Sequence, residues 1–252
     1  MKSLAYSFLL AGLLVGGHAW AAELVSASFS SGETQESLTG MSPDDSALKP
    51  DGSNVSGENW ILAGGGGFDV WQRDNAARMH NGGSVAASLA GNAAKSLVTI
   101  TAEFTFEHPA TEGNSDDASG YDLAALKAGY ALLGFYSTVP KQQFGDAYKG
   151  FTGFQLNYDG SLQLVVAGEK SGAPIPFGGQ FDPTQPYLFT YTVDTATGAV
   201  TRVSLGDSTA RYDISTTAFA GDAVSFAGFG GSAGNQPLFV EVRNFSVSAD
   251  PL

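Results

Sequence analysis

The sequence predicts an all-β protein, an antiparallel β-sandwich of the jelly-roll type. Apolar and polar residues alternate with period two in many short segments, and no segment has the periodicity of a long helix. Polar stretches rich in Gly, Ser and Pro separate these segments, as loops separate strands. We expect about eight to eleven strands. A sandwich is favoured over a barrel because residues 132–136 are apolar on both faces, as in a central strand covered on both sides.

The N-terminus has the pattern of a secretory signal peptide. Lys2 precedes an apolar run over residues 4–17, which is too short for a membrane span, and Ala19-Trp20-Ala21 and Ala22 match a small-residue cleavage site. We expect cleavage after Ala21 or Ala22. The mature chain, residues 23–252, is then a single domain exported to the periplasm, cell surface or extracellular space, without membrane insertion.

The N-terminal half predicts short strands and long polar connections. Strands are indicated by alternation at residues 25–29, 85–89 and 98–107 and by short apolar runs at residues 60–62 and 132–136, and a glycine run at residues 64–67 precedes residues 68–71. Loops are predicted at residues 30–58, 108–122 and 138–150, and one or two helical turns at residues 123–128. The longest alternation, residues 98–107, has its apolar side chains at even positions, so Phe104 is expected in the core.

Residues 151–166 predict a β-hairpin whose register can be worked out. A three-residue loop, Tyr158-Asp159-Gly160, pairs Leu156 with Leu162 and Phe154 with Leu164, so the apolar side chains share one face. It also places glycine at the third loop position, where the backbone is left-handed. The other face then carries the amides of Gln155, Asn157 and Gln163.

The C-terminal part predicts a Gly- and Pro-rich loop, a second hairpin and two more strands. The loop covers residues 171–185, and the hairpin runs from Tyr187 to Leu205 around a turn at residues 194–198. Residues 224–228 predict a strand. In the last strand, residues 238–248, the apolar phase changes from even to odd, which predicts a one-residue bulge near Arg243-Asn244.

Three runs in this half resemble the concanavalin A-like (laminin G-like) jelly rolls of secreted bacterial proteins. They are GFTGFQLNYDGSLQLVVAG, PYLFTYTVDTATGAVTRVSLG and AVSFAGFGGSAGNQPLFVEVRNFSVSAD. The resemblance covers residues 97–249 well and the N-terminal part loosely. It rests on structural residues, so it implies a fold rather than an activity.

Composition excludes several functional classes. Acidic residues number 25 against 12 basic ones, a formal charge of −13, and loss of Lys2 leaves 11 against 25, or −14. Such a charge disfavours nucleic acid and anionic lipid as partners. Cysteine is absent, which excludes disulfides, a thiolate nucleophile and cysteine-ligated zinc.

Catalytic patterns are weak. A glycosidase needs two carboxyl groups about 5 to 9.5 Å apart. The E-x-D-x-x-E spacing of laminarinase-like enzymes is absent, and Glu103 and Glu107 would stand about 13 Å apart on a strand. No catalytic residue is assigned, although a lyase could pair His80 or His108 with a tyrosine.

Clustered oxygen ligands indicate a candidate calcium site. Calcium prefers several carboxylate and carbonyl oxygens, and two acidic loops offer them. One contains Asp44, Asp45 and Asp51. The favoured one contains four closely spaced residues: Asn114, Asp116, Asp117 and Asp122. Neither matches an EF-hand, and solvated loop acids are the alternative interpretation.

Glycan binding joins an aromatic platform, which covers the apolar face of a sugar, to amides and charges that recognise hydroxyls. Five consecutive residues have this composition: Trp71, Gln72, Arg73, Asp74 and Asn75. A second candidate is the loop with Gln142, Gln143, Phe144 and Tyr148, and a third is the amide face of the first hairpin. The alternatives are a packing role for Trp71 and solvent exposure for the amides.

Three functions therefore remain open. The first is an exported, non-catalytic module that binds a polysaccharide or cell-surface glycan, with calcium as a candidate cofactor. The second is a structural protein of the envelope or matrix without a glycan ligand. The third is a glycan-active hydrolase or lyase.

Overall fold

The structure is a computed structural model, and all its regular elements are β-strands. It describes the following residues: 21–29, 36–37, 61–62, 70–79, 82–89, 93, 96–106, 128–138, 150–206, 210–219, 224–232 and 239–251. Within these ranges, no helix has the length and hydropathy needed to span a membrane.

The strands are numbered in chain order. Those of the first half are β1 (Ala22–Ala27), β2 (Glu36–Ser37), β3 (Ile61–Leu62), β4 (Val70–Arg73), β5 (Ala76–Met79), β6 (Gly83–Ser88), β7 (Ser96–Phe106) and β8 (Tyr130–Tyr136). Those of the second half are β9 (Phe151–Asn157), β10 (Leu162–Val166), β11 (Glu169–Ile175), β12 (Tyr187–Asp194), β13 (Val200–Leu205), β14 (Ala210–Thr216), β15 (Phe226–Ser232) and β16 (Val240–Pro251).

The strands form two antiparallel sheets. The nine-stranded sheet has the order β14-β13-β12-β7-β16-β5-β4-β2, with β1 also paired to β16. The seven-stranded sheet has the order β11-β10-β9-β8-β15-β6-β3. Along these strands the chain changes sheet repeatedly: β3, β6 and β15 each lie in the seven-stranded sheet between strands of the nine-stranded one, whereas β8 to β11 and β12 to β14 are consecutive strands of a single sheet. The result is a two-layered sandwich of the predicted jelly-roll type.

The core lies between the two sheets and is rich in aromatic rings. Phe154 of the seven-stranded sheet packs edge-on against Tyr191 of the nine-stranded sheet, with ring centroids 4.8 Å apart. Phe104, which was expected in the core, is 1% exposed, and Leu156 and Tyr191 of the two hairpins are 0% and 2% exposed. Because each buried side chain of this size contributes about 1.5 to 3 kcal/mol, this layer is the main source of stability.

The first hairpin has the predicted register. Leu156 pairs with Leu162, Gln155 with Gln163, and Phe154 with Leu164. Gly160 has a φ of 80°, the left-handed conformation expected at the third loop residue. Alternation and one glycine were therefore sufficient to predict β9, β10 and the turn between them.

The second hairpin and the bulge are also confirmed. Tyr191 pairs with Val203 across β12 and β13, and the Asp194 carboxylate accepts a hydrogen bond of 2.8 Å from the Thr197 hydroxyl in the turn. In β16 the register against β7 shifts between Arg243 and Ser246, and Asn244 has a φ of 51°. The change of apolar phase thus marks a bulge, as predicted.

Several strands were missed. Residues 171–185 were predicted as a loop, yet β11 extends into them to Ile175. All seven residues of β11 are exposed at the edge of the sheet, so burial imposes no alternation there. Conversely, all four residues of β5 are buried. The strands β2, β4 and β14 were not predicted either.

The seven-stranded sheet is buried on both faces near its centre. Strand β8 is buried along six of its seven residues, as its apolar sequence predicted. The expectation of solvent exposure for the hairpin amides is wrong, since Gln155 is 4% and Gln163 is 3% exposed. Burial of the outer face depends on contacts with other side chains, and a period-two pattern does not reveal those contacts.

Candidate functional site

The predicted run around Trp71 lies in a tight hairpin of the nine-stranded sheet. Strands β4 and β5 are joined by Asp74 and Asn75, whose φ angles are 55° and 58°. Two left-handed residues form the type of turn that matches the twist of the flanking strands, and Asp and Asn tolerate this conformation best. Trp71 therefore pairs directly with Arg78.

The same row of residues continues into β16, because Arg78 also pairs with Glu241. Val70, Met79 and Val240 of these strands point into the core and are fully buried. Side chains alternate along a strand, so Trp71, Arg78 and Glu241 lie together on the outer face of the sheet.

Charged groups form a connected network on this face. The Arg78 Nη2 atom lies 2.8 Å from the Glu241 Oε1 atom and 3.6 Å from the Asp74 Oδ2 atom. The Arg243 Nη2 atom donates to the Glu241 Oε2 atom over 3.1 Å. The Arg78 and Glu241 side chains are 9% and 10% exposed, whereas those of Asp74 and Arg243 are 40% and 44% exposed. A buried ion pair is thus flanked by two accessible charges.

An aromatic pair completes the site. The Trp71 ring meets the Phe239 ring edge-on at 5.9 Å, and the Arg78 guanidinium carbon lies 5.7 Å from the centre of the Phe239 ring. Trp71 is partly exposed. We call the following residues the Trp71 cluster: Trp71, Asp74, Arg78, Phe239, Glu241 and Arg243.

The arrangement suits a ligand with hydroxyls and one apolar face. A partly exposed indole offers a flat apolar surface and an N–H donor. Carboxylates accept hydrogen bonds from hydroxyls, and guanidinium groups donate to hydroxyl oxygens. Because Arg78 is held by Glu241 and the Phe239 ring, the polar groups around Trp71 are positioned before a ligand arrives.

The structure brings only some of the five predicted residues together. Trp71 and Asp74 belong to the cluster, and Asn75 is exposed at the tip of the turn. Gln72 is 4% exposed and points to the opposite face, because neighbouring residues in a strand face opposite ways. The side chain of Arg73 lies outside the described residues.

Four members of the cluster were not predicted: Arg78, Phe239, Glu241 and Arg243. Three of them, Phe239, Glu241 and Arg243, alternate with the core residues Val240 and Val242, so their place on the outer face was readable from the sequence. Their proximity to Trp71 depends on the pairing of β16 with β5, which local alternation does not specify.

The amide face of the first hairpin is an internal hydrogen-bond network. The Gln155 amide donates to the Asn157 side chain, and Asn157 Nδ2 donates to the Ser161 hydroxyl over 2.8 Å. The Gln163 amide donates to the Ser171 carbonyl over 2.8 Å. These donors satisfy partly buried acceptors, so they stabilise the hairpin and its pairing with β11.

The remaining candidates lie outside the described residues. They are the second glycan candidate, the two acidic groups considered for calcium and the two histidines: Gln142, Gln143, Phe144 and Tyr148; Asn114, Asp116, Asp117 and Asp122; Asp44, Asp45 and Asp51; and His80 and His108. In the part of the chain that the structure does describe, no three His, Asp or Glu side chains are close enough together to hold a metal ion.

No protein-family model and no curated protein matches the chain, but solved structures do. Arcelin-5, a lectin-like defense protein from Phaseolus vulgaris, is 11% identical, with a TM-score of 0.53 over 87% of this chain and 99% of its own. The carbohydrate recognition domain of Emp46p, in its metal-free form, is 15% identical, with a TM-score of 0.50 over 77% and 88%. Emp46p has also been solved with potassium bound. At these identities the likeness concerns the fold, which is the concanavalin A-like jelly roll.

Proposed function

We propose that this concanavalin A-like jelly roll is an exported, non-catalytic carbohydrate-binding or adhesion module that holds a polysaccharide or cell-surface glycan at the Trp71 cluster. The observation that carries the proposal is a partly exposed Trp71 ring beside the accessible charges of Asp74 and Arg243. The names of two proteins with the same fold, a lectin-like protein and a carbohydrate recognition domain, support this class of ligand.

In this proposal each group has a separate role. Trp71 stacks on the apolar face of a sugar ring, while Asp74 and Arg243 exchange hydrogen bonds with its hydroxyls. The Arg78–Glu241 pair is mostly buried and positions these groups without reaching the ligand itself. Asn75, exposed at the tip of the turn, supplies a further amide.

The chemistry of the cluster supports binding rather than hydrolysis. Glycosidases need one carboxyl group that gives up a proton and a second that stays ionised. Here both carboxylates contact arginine, Asp74 through Arg78 and Glu241 through Arg78 and Arg243. Both carboxylates therefore hold arginine side chains in place, which is a positioning and binding role.

Calcium is part of the proposal only through the loop residues Asn114, Asp116, Asp117 and Asp122. Their side chains offer the oxygen ligands that calcium prefers. Glycan binding measured with and without EDTA tests this directly: binding that persists in EDTA removes calcium from the proposal and leaves the Trp71 cluster untouched.

The test of the function compares Trp71→Ala with the wild-type protein on a glycan array. Loss of the indole is expected to weaken binding roughly tenfold or more, because tryptophans at the centre of a site carry much of the binding energy. Unfolding free energy should change little. The matched control is Leu188→Ala, a large apolar side chain, 45% exposed, on the same sheet face in β12, and this variant should bind normally.

Three other results would contradict the proposal. If Trp71→Ala unfolds, the indole has a packing role and the site is wrong. If the wild-type protein binds no glycan, the structural envelope or matrix role replaces the proposal. Release of reducing ends or unsaturated products from a polysaccharide panel would establish an enzyme instead.

A further inference from the structure

A group of aromatic rings lies at one end of the sandwich, packed against the core rather than on the outer sheet face that carries the Trp71 cluster. The connection between β11 and β12, residues 176–186, has no regular structure and packs beside the turn of the first hairpin. Its rings contact the core on one side and remain partly exposed on the other. We call the following residues the aromatic end: Tyr158, Phe177, Phe181 and Tyr187.

The rings of the aromatic end form a packed surface. Phe181 and Tyr187 are stacked, with centroids 4.7 Å apart and planes 24° from parallel. Phe177 meets both of them edge-on, at 5.5 Å from Phe181 and 6.1 Å from Tyr187. The outer face of a stacked ring is flat and apolar and carries the negative part of the ring quadrupole.

The connection is held in one conformation although it contains no strand. The Phe106 amide donates to the Pro183 carbonyl over 2.9 Å, and the Asp182 amide donates to the Tyr187 hydroxyl over 3.0 Å. The Phe181 ring lies directly over Gly160, where an added Cβ would be 2.5 Å from its Cγ atom. The rings are thus ordered in advance, which lowers the entropic cost of binding.

Negative charge surrounds these rings. Asp159 and Asp182 are both exposed. Burial raises the pKa of Tyr158 and the charge of Asp182 raises it further, while burial and then Asp159 raise the pKa of Tyr212 beneath the turn. Between residues 150 and 201 the only basic residue is Lys170. It pairs with Val165, whereas the aromatic end lies beyond the Leu162–Ile175 pair at the other end of that hairpin.

We propose that the aromatic end is a second binding site, and that it takes a glycan carrying free amines. A sugar ring covers the stacked pair of Phe181 and Tyr187, and a protonated amine on that ring lies near Asp159, Asp182 and the ring faces. The glycan class rests on the proposed function, whereas the preference for amines comes from charge complementarity at this site.

The test compares two oligosaccharides that differ only in charge: a chitosan oligosaccharide and its fully N-acetylated counterpart. Titration calorimetry is run at a pH at which the sugar amines are protonated. The wild-type protein should bind the amine form roughly tenfold more tightly than the acetylated form. The acetylated sugar has no charged amine, so it makes neither the contacts with the two carboxylates nor the cation–π contact.

Variants separate the site from the overall charge of the protein. In Asp159→Asn/Asp182→Asn each amide keeps the oxygen that accepts from the local turn, from Ser161 or Thr184, so the loops should stay folded. Affinity for the amine form should fall roughly fivefold to tenfold. The control Glu23→Gln/Glu169→Gln removes two exposed charges outside the aromatic end and should leave the affinity for the amine form unchanged. Phe181→Ala should abolish binding of both oligosaccharides.

The outcomes are distinct from those of the proposed function. Chitosan binding that survives Trp71→Ala but is lost in Phe181→Ala supports the second site, whatever the glycan array shows. Equal affinity for both oligosaccharides, an equal loss in the control variant, or no binding of either one overturns it. None of these three results bears on Trp71.

Discussion

At the residue scale, backbone conformation and space together decide which glycines are indispensable. Gly160 has a φ of 80°, and the Phe181 ring fills the space where its side chain would be. Gly172 has a φ of 73° with no atom within 4 Å of an added Cβ, and Gly178 has neither constraint. These three positions separate the cost of a left-handed backbone from the cost of a steric clash.

We expect Gly160→Ala to lower the unfolding free energy by about 2 to 4 kcal/mol, because strain and overpacking add. Gly172→Ala should cost about 1 kcal/mol for conformation alone, and Gly178→Ala should stay within about 0.5 kcal/mol of wild type. Chemical denaturation measures all three. Equal losses at Gly160 and Gly172 would contradict the contact with Phe181.

The buried hydroxyl of Tyr136 makes stability sensitive to alkali. Burial raises the pKa of Tyr136 to about 12, and the nearby Ser84 hydroxyl offsets this only in part. In the unfolded chain the group ionises near its ordinary pKa of about 10. Its contribution is therefore fully present below pH 10 and is lost as the pH rises towards 12, by up to about 2.7 kcal/mol.

Tyr136→Phe should accordingly reduce the loss of stability between about pH 10 and pH 12. Denaturant titrations at several pH values in this window measure the difference. Tyr191 is also buried, and its pKa is well above the ordinary value. It therefore makes the wild type and the Tyr136→Phe variant equally sensitive to alkali. A variant that loses stability as steeply as the wild type would show that Tyr136 ionises freely in the folded state.

At the element scale, a row of small residues crosses the outer face of the seven-stranded sheet. Gly228, Gly134 and Gly153 are paired neighbours on β15, β8 and β9. An added Cβ would lie 2.8 Å from the Phe151 ring at Gly134 and 2.6 Å from it at Gly153. The row thus leaves room for this ring, and Tyr136 packs against it with centroids 5.2 Å apart.

Gly134→Ala should therefore destabilise the sheet by about 2 to 3 kcal/mol, because backbone atoms of Thr152 and Gly153 also lie within 2.7 Å of the new methyl group. The control is Gly179→Ala, whose methyl group would make only an ordinary contact of 3.5 Å with Phe177. Thermal unfolding compares the two. Equal melting temperatures would mean that Phe151 moves aside at little cost.

At the scale of the whole molecule, two tyrosines of the nine-stranded sheet hydrogen-bond to the other layer. The Tyr191 hydroxyl donates to the Leu133 carbonyl over 3.0 Å, and the Tyr212 hydroxyl donates to the Gly160 carbonyl over 2.6 Å. Both hydroxyls are buried. They set the position of one sheet over the other more specifically than apolar contacts do.

Tyr191→Phe and Tyr212→Phe should each cost about 1 kcal/mol, the net contribution of a typical buried hydrogen bond. The double variant should lose about the sum, since the two bonds share no partner. Urea denaturation of the three variants gives the values. A double variant no less stable than either single one would show that the bonds act as one unit.

Whether a residue of the site could be predicted depended on how far it lies from Trp71 in the sequence. Trp71 and Asp74 were predicted because they are neighbours in the sequence, and Gln72 was included although a strand places it on the opposite face. Arg78 lies opposite Trp71 across the β4–β5 hairpin, whereas Glu241 and Phe239 join them only through the pairing of β5 with β16. The aromatic end was missed because Phe177 and Phe181 belong to an irregular connection without periodicity, and Tyr158 and Tyr187 meet them only in the folded chain.

The sequence by itself determined the class of fold, the register of the first hairpin and the bulge in β16. Each of these follows from alternation and turn residues, which record burial and conformation within a few residues. Only the tertiary structure decided which distant strands are neighbours, which outer face is buried, and which aromatic rings meet which charges. The physical reason is that strand order depends on how all the apolar faces fit together at once, and no local pattern contains that information.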